Sequence, residues 1–202
     1  MSHMWTVVAA LLISAAASPA AAQEVRPGVF GAVGFANVTR AEDQSFGTEL
    51  NVGGGAGIEW KRLGLDAELH RTIGLTPRTV QCGVANVPCA GSAREGFLEA
   101  TVLSGNVSYY FGSRVRPYVT GSVGVLWTDS VNSVTVVTNT AATVSEFIQS
   151  NTGLALGVGF GVDIPITSAL SVRPEFRTYS SVALSRVNLD IHRGAVAVRY
   201  RW

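Results

Sequence analysis

The feature that most constrains this chain is a period-two alternation of apolar with polar or small residues, which recurs in runs of about ten residues. In LGLDAELHRTI (residues 63–73), leucines alternate with Asp66, Glu68 and His70. Successive side chains of a β-strand point to opposite faces of a sheet, so this alternation predicts strands with one apolar and one polar face. Eight such runs lie between residue 28 and the last residue.

The length and spacing of these runs distinguish a membrane sheet from a soluble one. Strands of soluble domains typically have about five or six residues, whereas about ten residues allow a tilted strand to cross a bilayer. The links after the second, fourth and sixth runs have about three to six residues, and those after the first, third and fifth have about twelve to twenty. Short turns on one side and long loops on the other are typical of membrane barrels. The sequence therefore predicts an all-β fold, an eight-stranded antiparallel up-and-down transmembrane β-barrel.

The polar face of the runs is predicted to form the interior of this barrel. An eight-stranded barrel is just wide enough for side chains to fill it, and the acids and arginines on this face nearly balance. We therefore expect them to pair with one another and to plug the axis, with room left for them by glycines at alternate inward positions. The predicted interior network consists of Glu59, Asp66, Glu68, His70, Asn106, Tyr110, Arg173, Glu175, Arg177, Arg199 and Arg201. Pro174 lies inside one run, where its missing amide hydrogen predicts a bulge or a local break in pairing.

Aromatic residues end several runs on the apolar face. Trp60, Phe111 and Trp202 close runs at one predicted rim, and Trp127 closes a run at the other. Aromatic residues concentrate at both membrane–water interfaces, and transmembrane barrels carry aromatic girdles there. These four residues are therefore predicted to be interfacial anchors. Because a closed barrel leaves no edge strand exposed, we expect the run that contains Trp202 to pair with the first run.

The first 22 residues have the features of a secretory signal peptide. An apolar run over residues 5–17 precedes three alanines at 20–22, the A-x-A pattern that signal peptidase cleaves. The run is shorter than the roughly 20 apolar residues that a membrane anchor needs. The expected organisation is a cleaved signal peptide over residues 1–22 and an outer-membrane β-barrel over residues 23–202.

Cys82 and Cys89 are the only cysteines of the chain, and they lie in a segment with the Gly, Pro and Asn content of a loop. In an exported chain, two thiols this close in sequence predict a disulfide, because no nearby His or carboxylate would complete a tetrahedral metal site. The bridge would order the tip of a loop but would not hold the domain together.

Charge and motif content argue against several classes of function. Fifteen Lys and Arg against 14 Asp and Glu give a net charge of +1, without the electrostatic footprint that nucleic-acid binding requires. The glycine clusters at 53–55 and 157–161 do not fit G-x-G-x-x-G before a helix, and the chain has no GK[ST] motif. We therefore expect no nucleic-acid partner, no metal and no cofactor.

Three segments resemble a known family: the terminal VAVRYRW, the SYYFGSRVRPYV hairpin and the LSVRPEFRTY run. They are similar to the small eight-stranded outer-membrane barrels of Gram-negative bacteria, of the OmpA transmembrane-domain and OmpX type. The resemblance runs from about residue 25 onwards and implies a location in a Gram-negative outer membrane. It also implies three partners: outer-membrane lipids, lipopolysaccharide and the barrel-assembly machinery, which in that family reads such a terminal signature. Full OmpA-like proteins carry a peptidoglycan-binding domain after the barrel, and that role is not carried over.

The expected function is that of a non-enzymatic envelope scaffold or an adhesion-type protein that displays its long loops to an extracellular ligand. The candidate binding loops are residues 75–95 and 128–150, the second with the β propensity of an extended hairpin. One alternative is a lipid-A-modifying barrel enzyme, for which Asp190 and His192 on the outward face are candidates, although the chain has no His-x-Ser-Asn stretch. Another is a secreted lipocalin-like carrier of a small ligand, which would need an apolar interior, the reverse of the predicted faces.

Overall fold

The computed structural model describes residues 25–40, 44–74, 78–81, 90–137, 142–182 and 189–202. These ranges contain nine β-strands: β1 (Val25–Arg40), β2 (Gln44–Trp60), β3 (Leu63–Ile73), β4 (Arg78–Gln81), β5 (Ala90–Tyr110), β6 (Arg116–Val137), β7 (Ala142–Pro165), β8 (Leu170–Val182) and β9 (Leu189–Arg201). Within the same ranges, no helix has the length and apolar character needed to cross a membrane. The predicted signal peptide and both cysteines, Cys82 and Cys89, lie outside the described residues.

Eight of the strands close into an antiparallel barrel. β1 pairs with both β2 and β9, β3 pairs with β5, and the remaining strands pair with their neighbours in chain order. The predicted eight-stranded antiparallel barrel is thereby confirmed. β4 is an addition that the alternation did not predict. Its four residues pair with the upper part of β5, beyond Ile73↔Glu99, where the pairing of β3 with β5 ends.

The strands are tilted against the barrel axis. Following directly paired residues once around the barrel leads from Gly28 to Val38, a displacement of ten residues along β1. The successive positions are Gly28, Gly57, Asp66, Asn106, Ser122, Gly157, Tyr179, Ile191 and Val38. With strands about 4.8 Å apart and about 3.3 Å per residue, this stagger gives a tilt of roughly 40° and a backbone radius of roughly 8 Å. A lumen of this width can be filled by side chains alone.

The two ends of the barrel differ in their connections. At one end short turns join the strands, at residues 61–62, 111–115 and 166–169. At the other end β5, β6 and β7 continue beyond the wall, since pairing persists up to Ala90↔Val137 and Val137↔Ala142. The predicted extended hairpin within residues 128–150 is confirmed, and much of the predicted loop sequence is strand. Short turns face the periplasm in transmembrane barrels, so we call the two ends periplasmic and extracellular.

Pro174 interrupts one ladder, as its position in the sequence predicts. β7 and β8 pair at Gly161↔Glu175 and again at Ile164↔Val172, but not at the two positions between them. The register is the same on both sides of this gap, so the interruption is a local break and not a bulge. On its other side Pro174 stays paired with β9. Because proline has no amide hydrogen, the break falls on the β7 side.

Glycines on the inner face make room for large interior side chains. A Cβ atom at Gly55 would lie 2.7 Å from the Phe30 ring, and one at Gly161 would lie 2.6 Å from the Tyr118 hydroxyl. Cβ atoms of real residues essentially never come closer than 3.0 Å to such atoms. These positions therefore accept only glycine without a shift of their neighbours, as expected from the alternating glycines in the sequence.

Candidate functional site: the filled lumen

The structure places the predicted interior residues inside the barrel. All eleven are buried, and Glu68, Arg173, Arg177 and Arg199 expose at most 1% of their surface. β3 and β9 show the underlying alternation of inward and outward side chains most regularly. The predicted anchors face outward with 39–61% of their surface exposed: Trp60, Phe111, Trp127 and Trp202.

Four charged side chains form a closed ring at the periplasmic end of the lumen, which we call the lower ring (Glu59, Arg116, Asp163 and Arg201). Arg116 contacts both carboxylates. Arg201 closes the ring, with Nη2 2.5 Å from Asp163 Oδ2 and Nε 3.5 Å from Glu59 Oε2. Arg201 also donates to Ser171 Oγ at 2.9 Å. Because the four residues come from β2, β6, β7 and β9, the ring joins separate parts of the wall.

A second closed ring, the upper ring (Glu68, Glu175, Arg177 and Arg193), lies closer to the extracellular end. Arg177 donates to Glu68 at 2.8 Å and to Glu175 at 3.0 Å. Arg193 donates to the other oxygens of the same two carboxylates, at 2.6 and 2.7 Å. Glu68 is on β3, which lies diametrically opposite β8, the strand of Glu175 and Arg177. The upper ring therefore crosses the axis of the barrel.

A middle tier lies between the two rings. Asp66 accepts a hydrogen bond from Arg199 Nη2 at 2.9 Å, and Arg173 Nη1 lies 3.8 Å from the other Asp66 oxygen. The Arg173 guanidinium carbon stands 4.6 Å from the centre of the Tyr118 ring, a cation–π contact. The Tyr118 hydroxyl in turn donates to Glu175 at 2.8 Å. The tier is thus linked to the upper ring through an aromatic side chain.

Two predicted network members, Asn106 and His70, lie beside the upper ring. Asn106 Nδ2 donates to Glu68 Oε2 at 3.4 Å. His70 Nδ1 is 3.3 Å from Asn51 Nδ2, and its ring centre is 5.1 Å from that of Tyr179. His70 is buried in the lumen, away from the lipid that a membrane enzyme would act on.

The balance of charge explains how the lumen tolerates so many ions. Within the described residues, the three tiers hold five carboxylates and six guanidiniums. Removing one ion from water costs several kcal/mol, which is offset only when opposite charges and hydrogen bonds replace the water. In both rings each charge contacts two opposite charges. In the described part of the chain no group of three or more His, Cys, Asp or Glu residues is placed to hold a metal ion.

The sequence-based list missed three charged members of the rings. Arg193 has the same parity as Arg199, but it precedes the terminal VAVRYRW segment. Asp163 and Arg116 lie near the ends of β7 and β6, next to the short turns. The signal that would have found them is the parity rule itself, continued through the ends of the strands.

Above the upper ring the lumen becomes mainly apolar, with Asn51 and Thr72 as buried polar side chains, and the alternation in the sequence does not predict this change. Nine buried residues form this apolar layer: Ala36, Val38, Ala100, Val102, Leu126, Ala155, Tyr179, Leu189 and Ile191. The outward-facing neighbours of several of them are polar, since Asn37 and Thr39 flank Val38, and Asp190 and His192 flank Ile191. On β1 and β9 the wall at this height is therefore apolar inside and polar outside, whereas Leu126 and Ala155 keep the apolar outward neighbours Trp127 and Leu154.

The outward-facing Asp190 and His192 have partners that do not form a hydrolase site. Ser180 Oγ donates to Asp190 Oδ1 at 2.6 Å, and Thr178 Oγ1 lies 3.1 Å from His192 Nδ1. A serine nucleophile needs its hydroxyl on the histidine base. Here the serine is bound to the carboxylate and the histidine to a threonine, an arrangement of hydrogen-bonded rim residues.

A closed barrel with an outward apolar band, aromatic residues towards both ends of that band and an ion-paired lumen defines a transmembrane β-barrel protein. The sequence also matches the family model described as outer membrane protein beta-barrel domain, over residues 6–201. The chain belongs to this outer-membrane family. Among curated proteins no match is found.

Solved outer-membrane barrels share the fold at low sequence identity. Neisserial surface protein A is 16% identical with a TM-score of 0.55, covering 87% of this chain and 97% of that chain. Ail, the attachment invasion locus protein of Yersinia pestis, in complex with the heparin analogue sucrose octasulfate, is 9% identical with a TM-score of 0.51 and coverages of 88% and 100%. A major outer membrane protein from Thermus thermophilus is 14% identical with a TM-score of 0.52 and coverages of 88% and 99%. At these identities the likeness concerns the fold.

Proposed function

We propose that this chain is a non-enzymatic protein of a Gram-negative outer membrane that displays its extracellular strands to a ligand outside the cell. The observation that carries the proposal is the contact across the axis between Glu68 of β3 and Arg177 of β8. Side chains from opposite walls meet there, so the lumen offers no open path to a solute. The surface left for recognition is the part of the barrel above the membrane.

The extracellular surface is a four-stranded sheet in the order β4, β5, β6, β7. It continues the barrel wall without a break in the β6–β7 ladder, which runs from Arg116↔Asp163 to Val137↔Ala142. Binding segments are commonly carried in this way on a rigid scaffold. An adhesion-type role is further supported by the shared fold of Ail, an attachment protein seen with a bound heparin analogue.

We include in this proposal the route to the membrane and the implied partners. Export would use residues 1–22 as a cleaved signal peptide, and the terminal run ending at Trp202 would be read by the barrel-assembly machinery. Outer-membrane lipids and lipopolysaccharide would surround the apolar band. A disulfide between Cys82 and Cys89 would close the segment between β4 and β5. The buried charges argue against a lipocalin-like carrier, which needs an apolar interior throughout.

Planar-bilayer recording tests the filled lumen. Protein that has inserted, verified by resistance to SDS until it is boiled, is expected to give no steady conductance steps above the bilayer baseline. Large and steady steps from pure protein would overturn the proposal.

Replacement of residues 130–149 by an Asn-Gly turn tests the display surface. The change is expected to abolish adhesion of expressing bacteria to cultured epithelial cells, while the heat-modifiable barrel remains in the membrane. Unchanged adhesion would contradict the role of β6 and β7 as the binding surface.

A further inference from the structure

Exposed cations collect on one side of the periplasmic rim. Arg26 lies at the start of β1, Lys61 and Arg62 form the β2–β3 turn, and Arg114 lies in the β5–β6 turn, and all four are exposed. Around the barrel, β1, β2, β3, β5 and β6 are consecutive. The four cations therefore share one side of the rim, which we call the cationic side.

The other part of the described periplasmic rim carries no exposed charged side chain. The nearest described acids, Glu59 and Asp163, are buried in the lower ring, where Arg116 and Arg201 bind them. The β7–β8 turn at residues 166–169 reads Ile-Thr-Ser-Ala and carries no charge. The described rim therefore has a cationic side and an uncharged side.

Aromatic side chains place the cationic side at the depth of lipid headgroups. Trp60, Tyr109 and Phe111 are exposed on the outer wall at the ends of β2 and β5, and Lys61 Nζ lies 5.3 Å from the centre of the Trp60 ring. Interfacial aromatic rings sit at the level of the headgroups. Cations within a residue or a few residues of such rings meet phosphates and not hydrocarbon.

The lipid-facing wall above the cationic side includes a small-residue patch. Ala56, Ala67 and Gly105 are direct neighbours across β2, β3 and β5, and they lie about 10 Å above the rim along the axis, given about 3.3 Å per residue and the strand tilt. The exposed apolar side chains of Leu65 and Val107 flank this patch. Acyl chains can approach the backbone at the patch between these side chains.

We propose that the cationic side (Arg26, Lys61, Arg62 and Arg114) binds anionic phospholipids of the periplasmic leaflet. The cations hold the headgroup phosphates, and the acyl chains lie along the apolar wall above them. Basic clusters beside a membrane are attracted to anionic lipid in this way. The inference rests on the membrane orientation in the proposed function, in which the short turns face the periplasm.

Fluorescence quenching by brominated lipids measures this preference. Trp127→Phe with Trp202→Phe leaves Trp60 as the reporter in the barrel, and bromine on a neighbouring acyl chain quenches it. In vesicles that contain both lipids, brominated phosphatidylglycerol is expected to quench about fivefold more strongly than brominated phosphatidylcholine at equal mole fraction, the preference that about one charge contact produces. The preference is expected to vanish in 1 M salt, where the Debye length is about 3 Å.

The decisive variant combines Lys61→Gln, Arg62→Gln and Arg114→Gln. It is expected to be quenched equally by the two lipids. A control with Arg71→Gln, Arg78→Gln and Arg94→Gln removes the same charge from the extracellular side of the chain and is expected to keep the preference.

The possible results separate this inference from the proposed function. Protein that fails to insert in vesicles, with no heat-modifiable band, would contradict the proposed function itself. Inserted protein with equal quenching by both lipids, or a preference that survives in the triple variant or in 1 M salt, would overturn the lipid site alone. Capture of soluble muropeptides with no lipid preference would assign the cationic side to the cell wall and would likewise overturn it.

Discussion

Two heights of the same barrel follow opposite hydrophobic patterns. In the three charged tiers, acids and arginines face the lumen, while residues such as Leu65 and Val198 face outward. In the part of the apolar layer formed by β1 and β9 the order is reversed, because Ile191 and Leu189 face inward and the intervening Asp190 faces outward. The wall is one continuous ladder through both heights.

The difference shows which solvent surrounds each height. A polar outer wall is costly in hydrocarbon, whereas an apolar interior with a polar surface is the usual arrangement of a protein in water. On β3 the outward residues change from Leu69 to Arg71, and on β6 they change from Trp127 to Asp129. These changes mark the extracellular edge of the hydrocarbon. Along β6, the nine residues from Val119 to Trp127 span roughly 20 Å of the axis, near the height of an outer-membrane apolar band.

Different interactions fill the lumen at the two heights. In the charged tiers each ion depends on named partners, so one deletion leaves other ions buried and unpaired. In the apolar layer attraction is non-directional and follows the area and volume that are filled. The charged tiers are therefore expected to be intolerant of small chemical changes, and the apolar layer is expected to respond mainly to lost volume.

The largest effect is expected from Glu68→Gln. The substitution preserves shape but leaves Arg177 and Arg193 with Glu175 as their remaining carboxylate. The free energy of unfolding is expected to fall by about 3–5 kcal/mol, the cost of breaking a buried ion pair. Urea titration in lipid vesicles, with the folded fraction read from gel mobility, measures this change.

The matched control is Glu99→Gln, which removes the partner of Arg71 on the outer wall, where both side chains are substantially exposed. Its expected cost is below about 1 kcal/mol. Adding Arg193→Gln to Glu68→Gln is expected to cost less than the sum of the two single changes, because the second substitution removes an ion that the first left unpaired. Equal costs for Glu68→Gln and Glu99→Gln would show that the lumen is hydrated and that the upper ring is not a plug.

The apolar layer is tested by Ile191→Ala. Ile191 is 1% exposed and belongs to the buried cluster, so the substitution leaves a cavity with an expected cost of about 3 kcal/mol. This cost is expected to be independent of salt, because the substitution removes no charge. The same urea titration, repeated at low and high ionic strength, checks this. A strongly salt-dependent loss at Ile191 would show that the layer is coupled to the charged tiers below it.

The fit of the charged tiers against the wall is tested by Gly55→Ala. A methyl group at Gly55 would meet the Phe30 ring and the backbone oxygen of Ala67, with an expected cost of about 2 kcal/mol from overpacking. The outward-facing Gly31 on the neighbouring strand is the control, because a Cβ there meets nothing within 4 Å. Gly31→Ala is expected to change the free energy of unfolding by less than about 0.5 kcal/mol. Similar losses in both variants would assign the cost to strand propensity and not to the packing of the lumen.

The sequence predicts the charged tiers well because two patterns coincide there, ionic residues at inward positions and apolar residues at outward positions. In the charged tiers, inward positions are ionic and outward positions are apolar, so parity alone assigns Glu68 and Arg177 to the lumen and Trp60 to the outside. Within the bilayer, a shift of the strand pairing by one residue would turn a charged side chain towards the lipid. The pairing register is therefore unambiguous there. The closed eight-stranded barrel follows from the same signal.

The apolar layer is less predictable because on β1 and β9 the pattern reverses there without any change in secondary structure. Val38 and Ile191 are apolar residues among polar neighbours, and a rule that places apolar residues outside would assign them to lipid. Only the position of the hydrocarbon edge corrects this assignment. β4 was missed for another reason, since its four residues carry too little alternation to predict a strand.

Among the changes inside the lumen, the smallest effect is expected from Leu126→Met in the apolar layer. Leu126 is 3% exposed, and methionine has nearly the same volume with a more adaptable chain, so the expected loss is below about 1.5 kcal/mol. Any loss should appear as a shift in urea midpoint with an unchanged slope. A cost approaching that of Glu68→Gln would mean that the apolar layer also depends on a unique arrangement of partners. The two heights would then differ in polarity but not in the specificity of their packing.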